Sequence, residues 1–247
     1  MIEVRGVHKA FGALKVLRGV DLDVHDGETL VVLGSSGGGK SVLLKVIAGL
    51  LNADAGTVRI DGAERSPASD PDGRAALRFA YLFQGAALFD SLTVGENVSF
   101  ALRRFTSKGP DELRAVAEER LAWVGLRGVH DKMPSELSGG MRKRVGLARA
   151  IAMDPSFVLY DEPTTGLDPI SSDAIAELIL SLQARLKSTS VVVTHDMALA
   201  FKVGDRLSLL HEGVVHAQAL KEAFRNLDDA VVQQFIHGRA QGPIQFL

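Results

Sequence analysis

A glycine-rich segment carries the first sign of chemistry in this chain. Residues 34–41 read GSSGGGKS, which fits the spacing G-x-x-x-x-G-K-S, and the apolar run TLVVL precedes them. Glycines let successive backbone N–H groups turn towards an anion, and the start of a following helix favours negative charge. We expect Lys40 to reach the β- and γ-phosphates of a nucleotide and the Ser41 hydroxyl to bind Mg²⁺. The loop residues predicted to bind phosphate are Gly34, Ser35, Ser36, Gly37, Gly38 and Gly39.

An acidic pair follows a second apolar run. Residues 157–160 read FVLY and lead into Asp161 and Glu162. At the carboxyl end of a parallel strand beside the loop, Asp161 is suited to hold Mg²⁺ through water, and Glu162 to polarise an attacking water. The alternative is a solvated strand end, where acidic pairs are common. The buried character of the preceding run and the presence of the glycine loop favour the catalytic interpretation.

The elements around these residues predict an α/β fold. IEVRGV and GVDLDV alternate apolar and polar residues, as half-buried antiparallel strands do. TLVVL, FVLY and SVVV are continuous apolar runs, typical of strands covered on both faces, and helical patterns lie between them. Strands that alternate with helices indicate a mostly parallel sheet. The region from 63 to 75 is predicted to be an exposed loop, the region from 86 to 153 a mainly helical lobe, and RLSLLHEGVVHA a hairpin.

Composition limits the classes of function. The chain has 247 residues, an apolar content of 46% and a net charge of −2, which disfavours binding of nucleic acid through a broad basic surface. It has no cysteine, so disulfides, thiolate catalysis and cysteine-bound zinc are excluded. No apolar run is long enough to span a bilayer, and the first residues do not look like a secretory signal. A cytoplasmic protein is expected.

With LSGGM at 137–141 added, nearly the whole chain resembles the nucleotide-binding subunit of an ABC transporter. That resemblance implies an ABC-type P-loop NTPase domain over 1–247 with a mixed sheet core. Its parts would be a RecA-like core with an antiparallel β subdomain (about 1–85 and 154–219), a helical subdomain (about 86–153) and a C-terminal tail (about 220–247). Met141 departs from the common glutamine of the signature.

The resemblance also assigns roles to single residues. Gln84 matches the glutamine that contacts Mg²⁺ and the attacking water, His195 the switch histidine that senses the γ-phosphate, and Phe11 an aromatic residue that stacks on adenine. A structural histidine and a core phenylalanine are the alternatives for the last two. The remaining residues that match nucleotide-binding motifs are Ser138, Gly139 and Gly140 of the signature and Asp168 of the D-loop.

The signature has a physical rationale of its own. Ser138 is a good N-cap, and the two glycines after it leave backbone N–H groups bare at the start of a helix. Two anion sites in one chain suggest two nucleotides held between two copies, so a homodimer is expected. Arg142, Lys143 and Arg144 are each predicted to lie on the solvated face of that helix.

A finer resemblance concerns the cargo. LFQGAALFDSLTVGENVSFAL, the signature segment with its Met141, and LYDEPTTGLDPI resemble the ATPases of Mla/Mce-type systems, which move phospholipids. The resemblance implies a polytopic permease, a place at the cytoplasmic face of the inner membrane, and further Mce-type and small regulatory partners, without nucleic acid. Leu88 and Phe89 are candidates for permease docking, with core packing as the alternative. The apolar end of the chain is predicted to dock on the second ATPase subunit.

Other functions stay open at this point. An ABC ATPase for amino acids, ions or solvents would differ in cargo only. A soluble ABC ATPase acting on nucleic acid or ribosomes usually carries two nucleotide domains or a long coiled-coil insert, and residues 84–138 contain neither.

Overall fold

The computed structural model describes residues 1–65 and 75–245. Ten strands occur in this part of the chain: β1 (Ile2–Phe11), β2 (Leu14–Val24), β3 (Thr29–Leu33), β4 (Ala55–Ile60), β5 (Ala63–Glu64), β6 (Phe79–Leu82), β7 (Phe157–Asp161), β8 (Thr189–Thr194), β9 (Arg206–His211) and β10 (Val214–Leu220). The α-helices of the same residues are α1 (Lys40–Ile47), α2 (Val94–Phe105), α3 (Pro110–Trp123), α4 (Gly139–Ala150), α5 (Pro169–Leu186), α6 (Met197–Val203), α7 (Lys221–Arg225) and α8 (Ala230–Ile236).

The chain forms two compact units, residues 1–65 with 189–245 and residues 75–188. Most of the loop predicted at 63–75 lies outside the described residues, although its first two residues form β5. No helix within 1–65 or 75–245 has the length and apolarity to cross a bilayer. The subdomain boundaries implied by the resemblance stay a prediction.

The first unit contains an antiparallel sheet in the order β2-β1-β4-β5. Ile2, Val4 and Val7 of β1 are fully buried while Arg5 is exposed, so the predicted alternation is confirmed in this strand. The strand pairs with β2 from Ile2↔Val24 onwards and with β4 from Ile2↔Ile60. Half-buried strands of this kind pack apolar side chains against the core on one face and expose the other face to solvent.

The first unit also contains a mixed arrangement of strands in the order β10-β9-β3-β8. β3 is parallel to both β8 and β9, whereas β10 returns antiparallel to β9. Every residue of β3 and β8 is buried, which explains why both read as continuous apolar or small-residue runs. The β9–β10 hairpin turns through Glu212 and Gly213, both at positive φ, as a two-residue hairpin requires.

The second unit joins a parallel strand pair to the helical lobe. β6 and β7 pair from Phe79↔Phe157 to Leu82↔Tyr160. α2 begins with a capping box in which Thr93 and Glu96 bond each other's backbone N–H groups. The buried Asn97 donates to the carbonyls of Phe89, Leu92 and Thr93 and so fixes the segment before the helix. Within the region predicted to be a helical lobe (86–153), the α-helices are α2, α3 and α4.

The C-terminal segment folds against its own chain as far as it is described. Gln234 of α8 is 4% exposed, donates to the carbonyls of Arg239 and Ile244, and accepts from the Ile244 N–H. Ile244 itself is buried. Phe246 and Leu247, on which the predicted contact with a second subunit depends, lie outside the described residues, so that contact stays a prediction.

Candidate functional site

The glycine loop of the first unit leaves no room for side chains where it starts. A Cβ added at Gly34 would lie 2.6 Å from the carbonyl oxygen of Leu210, a distance that real Cβ atoms do not show. Gly39 has φ 96°, and a Cβ there would lie 3.0 Å from Val16. α1 begins directly after Gly39, so the loop ends on the N–H groups of a helix start. The sequence TLVVL-GSSGGGKS thus forms the predicted strand, loop and helix.

The Lys40 side chain folds back over the glycine loop. Its side chain is 5% exposed, and Nζ donates to the carbonyl oxygens of Gly34 at 2.8 Å and Ser35 at 3.0 Å. Ser35, Ser36 and Gly37 form the exposed rim of the loop, and Ser41 is half-buried at the helix start. The loop therefore encloses a positive charge and presents backbone to the solvent, an arrangement that suits a phosphate ligand.

His195 lies at the same edge as the loop. β3 and β8 are parallel neighbours with Leu33 opposite Thr194, so Gly34 and His195 are the next residues of the two strands. The histidine is exposed, and Asp196 after it caps α6 by accepting from the N–H groups of Ala198 and Leu199. His195 is therefore not a core residue, and its assignment as the switch histidine stays a prediction.

Phe11 is not a core residue either. It ends β1, its side chain is 50% exposed, and Lys9 Nζ lies 5.6 Å from the ring centroid. An exposed aromatic face beside a cation is available for stacking. The predicted site residues that belong to the first unit are therefore those of the glycine loop, Ser41, His195 and Phe11.

In the second unit, Asp161 is the last residue of β7 and is 4% exposed. Tyr81 on the neighbouring strand β6 donates its hydroxyl to Asp161 Oδ2 at 2.9 Å. Burial, together with the charge of Asp161, raises the pKa of Tyr81, so the phenol stays protonated as a donor. Sequence reasoning missed Tyr81 because nothing in FAYLF distinguishes a donor from a packing residue.

Glu162 follows with a strained backbone. Its φ is 49°, a left-handed conformation that is unfavourable for a residue with a Cβ, and its side chain is 7% exposed. Thr165 donates its N–H to the Glu162 carbonyl at 3.3 Å and its hydroxyl to Glu162 Oε2 at 3.2 Å. Residues 162–165 therefore hold the carboxylate by a local turn, which we call the catalytic turn after the role predicted for Glu162.

Gln84 leaves the neighbouring strand at the same edge. β6 and β7 are parallel with Leu82 opposite Tyr160, so Gln84 and Glu162 each come two residues after a matched pair. Gln84 is exposed, and the backbone after it is fixed by Arg149, which donates to the carbonyls of Ala86 and Ala87 at 2.7 Å each. Burial lowers the pKa of Arg149. No local sequence pattern predicts that Arg149 anchors this segment.

The signature residues start α4. Ser138 is the N-cap, and its hydroxyl accepts from the Met141 N–H at 3.3 Å. Ser138 and Gly139 are exposed and Gly140 is half-buried, so the helix start faces solvent. The prediction that Lys143 lies on the solvated face is wrong, because its side chain is buried and bonded to the catalytic turn.

Asp168 caps the helix that follows the catalytic turn. It accepts from the N–H groups of Ile170 and Ser171 at 3.0 Å each, and from the Ser171 hydroxyl at 2.6 Å. The hydroxyl of Ser171, then its N–H, hold the pKa of Asp168 below its ordinary value. Gln84, Asp161, Glu162, the signature and Asp168 all belong to the second unit.

Comparison with known proteins finds a matching family model and several similar proteins. Residues 17–165, more than half of the chain, match the family described as ABC transporter. A protein named intermembrane phospholipid transport system ATP-binding protein MlaF, from Escherichia coli, is 36% identical over 100% of this chain and 92% of its own length. The probable ribonucleotide transport ATP-binding protein mkl of Mycobacterium leprae is 41% identical over 98% of this chain and 70% of its own.

Two further matches also extend over most of the chain. Protein trigalactosyldiacylglycerol 3, chloroplastic, of Arabidopsis thaliana is 40% identical over 100% of this chain and 76% of its own length. The dimeric post-hydrolysis structure of the ATP-binding cassette MJ0796, bound to ADP and Pi, has a TM-score of 0.80 at 31% identity, and the match covers 90% of this chain and 99% of that one. The predicted α/β P-loop NTPase fold is confirmed.

Proposed function

The chain belongs to the ABC transporter family, and from that premise we propose that it powers phospholipid movement by a membrane transporter of the bacterial envelope. ATP hydrolysis is the activity of this cassette family, and the chain is its ATPase subunit. The observation that carries the cargo assignment is the similarity to MlaF, which extends over the whole chain and nearly the whole relative.

The nucleotide is proposed to bind at the glycine loop. Backbone N–H groups of residues 34–39 and the start of α1 would surround the phosphates, with Lys40 turning from the loop carbonyls towards the β- and γ-phosphates. Phe11 would stack on the adenine through its exposed face. Because the loop has no side chains where it is tightest, the phosphates can approach the backbone closely.

Mg²⁺ is proposed to accompany the nucleotide. The residues assigned to it are the Ser41 hydroxyl, the Gln84 amide oxygen and, through water, the Asp161 carboxylate. All three are oxygen ligands, the type that Mg²⁺ prefers. Asp161 fits this role because it is a buried carboxylate whose Oδ2 accepts a hydrogen bond from the neutral hydroxyl of Tyr81. Bound there, the ion would supply positive charge to the phosphate oxygens.

For hydrolysis, Glu162 is proposed to polarise the attacking water and His195 to stabilise charge on the γ-phosphate. The catalytic turn supports the first role because it fixes the carboxylate by the Thr165 hydroxyl. The exposed position of His195 after β8, beside the loop, supports the second. Positioning and charge stabilisation are the main requirements of phosphoryl transfer.

Two copies are proposed to close around two nucleotides. The exposed helix start at Ser138, Gly139 and Gly140 would contact the γ-phosphate bound by the other copy, with Asp168 near the same interface. The dimeric form of the MJ0796 cassette supports this arrangement. Hydrolysis would then remove the shared ligand and reopen the pair.

Paired variants test the ATPase assignments. Glu162→Gln should keep ATP affinity within about threefold, lose turnover by more than about 100-fold, and accumulate as an ATP-bound dimer in size-exclusion chromatography. Lys40→Ala should instead lose ATP binding. Lys108→Met, a charge removal at an exposed residue before α3, is the matched control. Ordinary steady-state hydrolysis by Glu162→Gln would refute the assignment of Glu162.

A permease is proposed to dock on the helical lobe. Phe89 and Phe100 are 43% and 48% exposed with ring centroids 4.7 Å apart, and Phe105 is 45% exposed. Exposed aromatic side chains of this kind are typical of a protein interface. Phe89 therefore fits the docking prediction, whereas Leu88 is half-buried. The proposed location is peripheral, at the cytoplasmic face of the inner membrane, with Mce-type and small regulatory subunits as further proposed partners.

The cargo has a second candidate. The relative mkl is named for probable ribonucleotide transport, so a ribonucleotide is the alternative to phospholipid. Isolation of the native complex in detergent, followed by mass spectrometry of its membrane subunit and bound small molecules, separates the two. Co-purified phospholipid above the level in a complex carrying Lys40→Ala supports the proposal, and bound ribonucleotide apart from ATP and ADP would replace it.

A further inference from the structure

Lys143 is a buried cation in the signature helix that the proposed reaction does not use. It lies five residues after the N-cap Ser138 in α4, and its side chain is 8% exposed. Nζ donates to the carbonyl oxygens of Pro163 at 2.9 Å and Thr165 at 2.6 Å. A single ammonium therefore bridges two carbonyls of the catalytic turn, on both sides of Thr164.

The segment that Lys143 holds needs outside support. Glu162 has φ 49°, and such a conformation persists only where the surroundings over-determine it. Within the turn, Thr165 contributes one backbone and one hydroxyl hydrogen bond to Glu162. Lys143 fixes the carbonyl of Thr165 itself, so it acts on the residue that holds the Glu162 carboxylate.

A purely structural function is a poor account of this lysine. Burial lowers the pKa of Lys143, which means that the protein disfavours its charge, while the charge of Glu162 opposes that shift. Lys143 is a long, flexible donor that reaches two carbonyls next to the strained backbone of Glu162. This arrangement indicates that it orients the Glu162 carboxylate.

We propose that Lys143 is a positioning residue for ATP hydrolysis, which holds the catalytic turn so that Glu162 meets the attacking water. This inference rests on the proposed role of Glu162. Since α4 also carries Ser138, the helix assigned to the other copy's γ-phosphate supports, about one and a half turns further on, the catalytic carboxylate of its own chain.

The test compares Lys143→Met with Lys143→Gln in the full-length protein. Methionine keeps the length and apolar stem but has no donor, whereas the glutamine amide has two N–H groups for the two carbonyls. Steady-state kcat of Lys143→Met should fall at least tenfold, with ATP affinity changed less than threefold, and Lys143→Gln should recover part of the loss. Lys108→Met, at an exposed residue of the same unit, should hydrolyse like the wild type.

A second measurement distinguishes positioning from damage to the signature helix. In the Glu162→Gln background, added Lys143→Met should leave the ATP concentration for half-maximal dimerisation within threefold. Loss of that dimerisation, or a kcat for Lys143→Met within twofold of wild type, would overturn the inference. If Lys143→Met does not fold, Lys143→Gln takes its place in the test. The inference then requires that Lys143→Gln has a reduced kcat and an unchanged ATP concentration for half-maximal dimerisation. Normal hydrolysis by Glu162→Gln would instead refute the proposed role of Glu162, on which this inference rests.

Discussion

The glycine loop and the catalytic turn are both tight segments after buried parallel strands, yet opposite means shape them. In the loop, close approach of the backbone excludes side chains, as at Gly34 beside the Leu210 carbonyl. In the turn, a residue with a long side chain adopts φ 49°, and the side chains of Lys143 and Thr165 hold the segment. A segment that binds a ligand through its backbone must be free of bulky side chains. A segment that presents a carboxylate instead needs neighbouring side chains that hold it in place.

The largest effect is expected where the loop is tightest. Gly34→Ala would put a Cβ 2.6 Å from the carbonyl oxygen of Leu210, so the loop or β9 must shift. Overpacking of this kind costs about 1–3 kcal/mol. We expect ATP affinity to fall more than about tenfold, since the first phosphate-facing residues move with Gly34. Equilibrium titration with a fluorescent ATP analogue measures the change.

Gly37→Ala is the matched control for this prediction. Gly37 has φ 78° but nothing within 4 Å of an added Cβ, so only the backbone conformation opposes alanine, at a cost of about 1 kcal/mol. Equal losses of affinity in the two variants would show that steric room at Gly34 is not what shapes the loop.

This difference also explains how much the sequence could predict. The glycine loop was predictable because its cause is local, a run of glycines between a strand and a helix. The continuous apolar strands β3, β7 and β8 and the alternating β1 were predictable for the same reason.

The supports of the second unit were not predictable, because their causes are distant in sequence. Lys143 bonds residues twenty and more positions away, and Arg149 bonds carbonyls more than sixty positions away. In RKR, nothing local distinguishes the buried lysine from its exposed and half-buried neighbours. Periodicity indicates that a helix forms, but the partner of each polar side chain depends on tertiary packing.

A middle-sized effect should reveal the strain in the catalytic turn. Alanine and glycine at position 162 both remove the carboxylate, but only glycine adopts φ 49° without steric cost. We expect Glu162→Gly to be more stable than Glu162→Ala by about 1 kcal/mol, the reverse of the usual order. Urea unfolding followed by circular dichroism gives both free energies. Greater stability of the alanine variant would mean that the turn is relaxed in solution and that the contrast with the glycine loop is smaller than the structure indicates.

The smallest effect concerns the helix cap beyond the turn. Asp168 accepts from two N–H groups and the Ser171 hydroxyl, which hold its pKa below the ordinary 3.8. A depressed folded-state pKa gives stability that is present above pH 3.8 and is lost as the pH falls through the folded value. Asn is an equally good N-cap without the charge, so Asp168→Asn isolates the ionic part. The Tm difference between wild type and Asp168→Asn should therefore be small but measurable at pH 7 and should shrink as the pH falls below 3.8. A Tm difference that does not depend on pH would mean that the cap acts through neutral hydrogen bonds alone.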